Sequence, residues 1–208
     1  MIRKLLHVLL IAAASPALAQ EPAALPEGRF LDKFGRTTEL MLGLPGLELV
    51  AGEHSIEVLA AEFKRICVDT KLDRTAFAAA AQSSPLNLKA NPFRYTFGRK
   101  EELSLDFDGW QSADVGVRLV DFKNYFVKGL QCNLTAAVKS PTDWRAVSRA
   151  AAVVSGLDPA DPVNAKALKN GVFEVPVTGG TLLLVGAVGE SSSHAVVHFG
   201  ALLRPNKQ

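Results

Sequence analysis

An α+β fold, an antiparallel β-sheet with helices packed on one face, is predicted by three observations in this 208-residue chain. Apolar residues recur at three and four over residues 55–82, then switch to strict alternation from Phe93 onward, and the strand-like runs lie too close together for parallel crossovers. A composition of 48% hydrophobic and 21% charged residues excludes a disordered chain. The length suits one core.

The first nineteen residues read as an export signal. Arg3 and Lys4 precede an apolar run from Leu5 to Ala14 interrupted only by His7, and Ala17-Leu18-Ala19 has the small residues of a signal-peptidase site, with cleavage expected between Ala19 and Gln20. The run is about ten residues, short of the ~20 that span a bilayer, and no later segment qualifies, so no transmembrane span is expected in the mature chain. Residues 20–29, with Pro22 and Pro26, form a flexible lead-in, and 30–208 are expected to be a single α+β domain. Leu40 to Val50, broken by Gly43, Pro45 and Gly46, suits a turn between two short strands.

Ser55 caps the first helix. Ile56, Leu59, Ala60, Phe63, Ile66 and Cys67 share its buried face, and Glu57 meets the positive end of its dipole. Asp73 opens a second helix to Gln82, anchored by Phe77 and ended by Ser83-Ser84-Pro85. Four strands follow in 93–97, 103–107, 115–119 and 125–138, with turns at Gly98, Asp108-Gly109 and Lys123-Asn124. One face of this sheet is expected to be wet. Thr142 and Asp143 start a third helix in which Trp144, Val147, Ser148, Ala151 and Val154 share a face, with Gly156 at the left-handed C-terminal position. Strands at 171–177, 180–188 and 193–203 complete the chain, the first two joined across Thr178-Gly179-Gly180. Helix then meander occurs twice, which suggests two related halves without any residue-level repeat.

Removing residues 1–19 takes two basic residues from 23 and no acid from 21, leaving 21 of each sign. A mature chain without positive surplus lacks the electrostatic footprint of nucleic-acid binding. Two cysteines, Cys67 and Cys132, permit one intramolecular disulfide in an oxidising compartment, and their wide spacing argues for a staple rather than a redox-active Cys-x-x-Cys.

Phosphate loops, dinucleotide fingerprints, nucleophile elbows, Ser-x-x-Lys and His-Glu-x-x-His are all absent from the sequence, so no cofactor, metal or catalytic set is assigned. His194 and His198 are four apart, which on a strand separates them by about 13 Å and defeats a shared ion. His54 precedes a helix with no partner at motif spacing. Ser104, Asp106, Asp108, Gly109 and Ser112 fall at calcium-loop positions, but the closing position is Val115 instead of Glu, and a strand hairpin explains them better. Phe93, Tyr95 and Phe97 alternate with Arg94 and precede Arg99 and Lys100, a strand pattern first and an anion site second. Asn133-Leu134-Thr135 is a glycosylation sequon placed inside a strand.

The spacing Phe63-x-x-x-Cys67, with Asp73 and Phe77 on the next helix and Cys132 in a later strand, resembles uncharacterised exported proteins of Gram-negative bacteria. That resemblance implies a periplasmic location and a disulfide and transfers no active site. The expected function is a non-enzymatic binding or envelope-accessory module for a small ligand or an envelope protein. Two alternatives stand beside it: a hydrolase with a spatially assembled Ser/His/Asp-type site, His54 or His198 serving as base, and an inhibitor or subunit of an envelope complex.

Overall fold

The computed structural model describes residues 49–97, 103–123, 128–139, 142–164, 167–168, 171–190 and 195–206. The expected signal segment with Ala19 and Gln20, the lead-in, nearly all of the 40–50 turn, Gly98, Asn124 and His194 lie outside the described residues.

Helix α1 spans Ile56–Phe63 and starts as its sequence predicts, with the Ser55 hydroxyl accepting the Val58 N–H at 3.3 Å. It then widens into a π-turn, Lys64–Val68, in which the Asp69 N–H reaches back to the Lys64 carbonyl at 2.8 Å. Lys71 and Leu72 follow with φ of 53° and 61°, and Leu72 is fully buried. Left-handed backbone at a leucine is costly, and its burial in the core offsets that cost. Helix α2, Arg74–Gln82, is capped by the Asp73 carboxylate, which accepts the Ala76 N–H at 2.9 Å. The carboxylate of Glu62 ties these elements together, taking 2.7 Å hydrogen bonds from Arg65 and from Ser84 just beyond α2. Burial pushes its pKa up, but the hydrogen bonds from Arg65 and Ser84 and the Arg65 charge outweigh burial and bring it below the ordinary carboxylate value.

Strands β1 (Lys89–Ala90), β2 (Phe93–Phe97), β3 (Leu103–Gln111), β4 (Val115–Lys123) and β5 (Lys128–Val138) form the first meander. After α3 (Trp144–Val154) come β6 (Val172–Val177), β7 (Gly180–Glu190) and β8 (Ala195–Pro205). All eight strands belong to one antiparallel sheet in the order β1-β3-β4-β5-β8-β7-β6, with β2 also on β3, so the last strands of the two meanders pair at its centre. No described helix is long and apolar enough to cross a membrane.

The hairpin expected at Asp108-Gly109 is not there. β3 runs straight through both residues and turns at Ser112 to Asp114. Gly109 serves a different purpose: a Cβ there would lie 2.1 Å from the carbonyl oxygen of Asn91, whose N–H donates to the Gly109 carbonyl at 2.7 Å. The missing side chain lets Asn91-Pro92, the kink between β1 and β2, close onto β3.

Alternate strand residues, Val115, Val117, Leu119, Cys132, Leu134, Leu182, Leu184, Val197 and Phe199 among them, join Leu59, Phe63, Phe77, Val147 and Ala151 from the helices in one buried cluster. Phe63 stacks on Phe199 with ring centroids 5.5 Å apart. The Cys67–Cys132 disulfide crosses this core from the π-turn to β5. Asp143 caps α3 through the Arg145 N–H at 3.0 Å, and Gly156 beyond it has φ of 80°. Beneath α3 lies Gly186, where an added Cβ would sit 2.7 Å from the Val147 carbonyl oxygen and 3.0 Å from its methyl carbon. Gly186→Ala therefore lifts α3 from β7 and lowers stability by about 1–3 kcal/mol. An unchanged urea midpoint would contradict that close approach.

The second face of the sheet is not wet as expected. Val120, Leu183, Val185 and Ala187 are at most 2% exposed, and the polar Arg118, Gln131 and Asn133 at most 3%. The run from Leu182 to Val188 is apolar at both alternating sets of positions, which is the mark of a strand buried on both faces.

Candidate functional site

One open cleft of about 420 Å³ is lined by His54, Pro85, Leu86, Asn87, Lys89, Gln111, Ser112, Ala113 and Asp114. It forms where three segments meet. The β3–β4 turn supplies Ser112 to Asp114, the stretch after α2 supplies Pro85 to Lys89, and the strand-like approach to α1 supplies His54. That approach is fixed by backbone hydrogen bonds from Val50 N–H to Ala113 O at 2.8 Å, Gly52 N–H to Ala137 O at 2.9 Å and Lys139 N–H to Gly52 O at 3.0 Å.

Asp114 organises the cleft. Its Oδ1 accepts the Ser112 hydroxyl at 2.9 Å, and its Oδ2 lies 3.2 Å from His54 Nε2. Gly52 makes room for this carboxylate, since a Cβ at that position would fall 1.8 Å from Oδ2. Ser112 is committed on both sides, because its Oγ also accepts the Val115 N–H at 3.1 Å. A nucleophilic serine needs the imidazole between hydroxyl and carboxylate, whereas here the carboxylate stands between the other two. The group is suited to binding: a fixed acceptor, a histidine, amide groups on Asn87 and Gln111 and a lysine around an apolar patch.

The other sequence candidates are dispersed. His198 on β8 is 8% exposed and shares a 3.2 Å hydrogen bond, through Nδ1, with Thr135 Oγ1 on β5. Burial lowers its pKa to about 4. The hydrolase alternative thus gains a perturbed histidine beside a hydroxyl, but the pair is shut from solvent and a base of that pKa takes up a proton weakly. Asp106 and Asp108 are bound to Arg94 and Arg74, and a hydrogen bond from Arg94 is the largest cause holding the Asp106 carboxyl below its ordinary value. Arg94 points to solvent, while Phe93 lies under the Arg118 guanidinium, 4.9 Å from ring centroid to charge centre. Arg99 and Lys100 are outside the described residues. The sequon Asn133 is 3% exposed, closed to a glycan. Among the described residues no three His, Cys, Asp or Glu side chains are placed to hold a metal.

Sequence reading singled out His54 and Ser112 but missed Asp114, Gly52 and Lys89. The one available signal was Gly52 two residues before His54, and it means nothing until Asp114 is known to lie above it. A buried polar row on the second sheet face was also missed: Gln131 Nε2 donates to Asn133 Oδ1 at 2.9 Å, beside Arg118 and Thr135. Among the described residues Gln131 Oε1 and Asn133 Nδ2 have no hydrogen-bond partner.

Fold and cleft together define the class, an α+β fold whose described strands form one eight-stranded antiparallel sheet, with a buried disulfide and, at the β3–β4 turn, an open cleft that sets a few polar groups around an apolar patch. No protein family, curated protein or solved structure matches this chain.

Proposed function

We propose that the protein is an exported, periplasmic binding module whose ligand site is the cleft around Asp114. The observation that carries this reading is the Ser112–Asp114–His54 arrangement, a carboxylate held by two neighbours in an open cleft with the hydroxyl already committed on both sides. Such a group recognises and does not attack. Export is supported by the signal-like residues 1–19 and by the disulfide, which belongs to an oxidising compartment. The resemblance to exported proteins of Gram-negative bacteria points the same way. Duplication of a helix-then-meander half, with helices on a common sheet face, is part of the same proposal; the pairing of the two final strands, β5 and β8, supports it.

Native mass spectrometry of protein exported into a periplasm and gently purified tests this. The expected result is a chain of residues 20–208 two hydrogens light, carrying an added non-covalent mass that Gly52→Ala removes by displacing the Asp114 carboxylate. Bare protein throughout would count against small-ligand binding and shift attention to envelope-protein partners.

A further inference from the structure

The cleft's charges are unevenly matched. Asp114 is satisfied by Ser112 and His54, while Lys89 has no carboxylate within ion-pair distance among the described residues. The β1–β3 register sets Lys89 directly opposite Gln111. Gln111 Oε1 accepts the Asn91 Nδ2–H at 2.7 Å, and the Gln111 Nε2 hydrogens have no acceptor among the described residues. This wall of the cleft therefore presents an ammonium and an amide donor side by side, with the apolar Pro85, Leu86 and Ala113 in the same lining. Asn87 also lines the cleft with φ of 54°, a left-handed conformation that asparagine tolerates better than other side-chained residues.

We propose that the cleft selects small organic carboxylates with a short aliphatic body, the carboxylate held between Lys89 and Gln111 and the body on Pro85, Leu86 and Ala113. This rests on the reading of the cleft as the ligand site. Two adjacent donors, one charged, meet the two oxygens of one carboxylate, and a charge-assisted hydrogen bond is about twice as strong as a neutral one. A neutral amide keeps one acceptor for Lys89 but loses the ion-pair attraction and sets an N–H donor against the Gln111 amide, and an ammonium meets Lys89 with like charge.

Amide NMR titrations of the full mature protein with butyrate, butyramide, butylammonium and inorganic phosphate separate the outcomes. The expected result is saturable shifts at Asn87, Lys89, Gln111 and Ala113 with butyrate, about tenfold tighter than with butyramide, lost in Lys89→Gln and retained in Lys89→Arg. Butylammonium binding more tightly, or butyrate and butyramide binding equally, overturns the carboxylate assignment and keeps the cleft as a ligand site. Phosphate binding as tightly as butyrate replaces the class with simple anions. Shifts from none of the four at these residues overturn the carboxylate assignment, and a co-purified mass sensitive to Gly52→Ala would show that the cleft still binds something else.

Discussion

Breaking the Cys67–Cys132 bond lowers the free energy of unfolding by about 4 kcal/mol. The bond closes a loop with a sequence separation of 65, and removing that constraint lets the unfolded chain recover the corresponding entropy. The native state also loses a tie in an unfavourable place. Both cysteines are fully buried, one in the π-turn after α1 and the other at the centre of β5, so the link joins the π-turn to the sheet through the core. Reductant cannot reach the bond in the folded protein, and the measurement is therefore an equilibrium urea unfolding curve with and without reductant. For a mature domain of this size, 4 kcal/mol corresponds to roughly 10 °C in Tm. Coincident midpoints, with free thiols verified in the reduced sample, would show that the loop carries no such constraint.

Lowering the pH from 6.5 to 4 removes about 3 kcal/mol of stability through His198 alone. The folded pKa of about 4 lies below the ordinary value of 6.5 because burial disfavours the charged ring. Between those values the unfolded chain binds a proton that the folded chain refuses. The contribution is full above 6.5, is lost as the pH falls, and levels off below 4. Carboxylates act lower: Glu62 and Asp106, both with lowered pKa values, lose their stabilising effect only as the pH falls below ordinary values of 4.5 and 3.8. The upper part of the acid limb thus isolates the histidine. His198→Gln keeps a polar partner for Thr135 and removes the titration, so its urea-derived stability should be nearly flat from pH 6.5 to 4.5 relative to the parent. An identical slope in both proteins would remove His198 as the cause.

Helix starts were legible because a cap is a local event. Ser55, Asp73 and Asp143 each sit one residue before the first helical turn and accept an N–H two or three residues on, and no distant contact is needed. Strand alternation and the left-handed Gly156 were legible for the same reason. The π-turn was not, since a single wider turn leaves the apolar spacing of Ile66 and Cys67 nearly unchanged. Asp108-Gly109 misled because that pair is a turn signal in general, whereas this glycine is demanded by the Asn91 carbonyl in the kink between β1 and β2.

By itself the sequence determined the element order, the antiparallel character of the sheet and the cysteine pair, all set by short-range periodicity and by there being only two thiols. Tertiary structure alone decided the burial of Arg118, Gln131 and Asn133 on the second sheet face, the closed environment of His198 and the cleft. Gly52 and His54, Asp114, and Lys89 come from three separate segments, and the charge balance that distinguishes Lys89 from Asp114 arises only from which neighbours fold within hydrogen-bond reach.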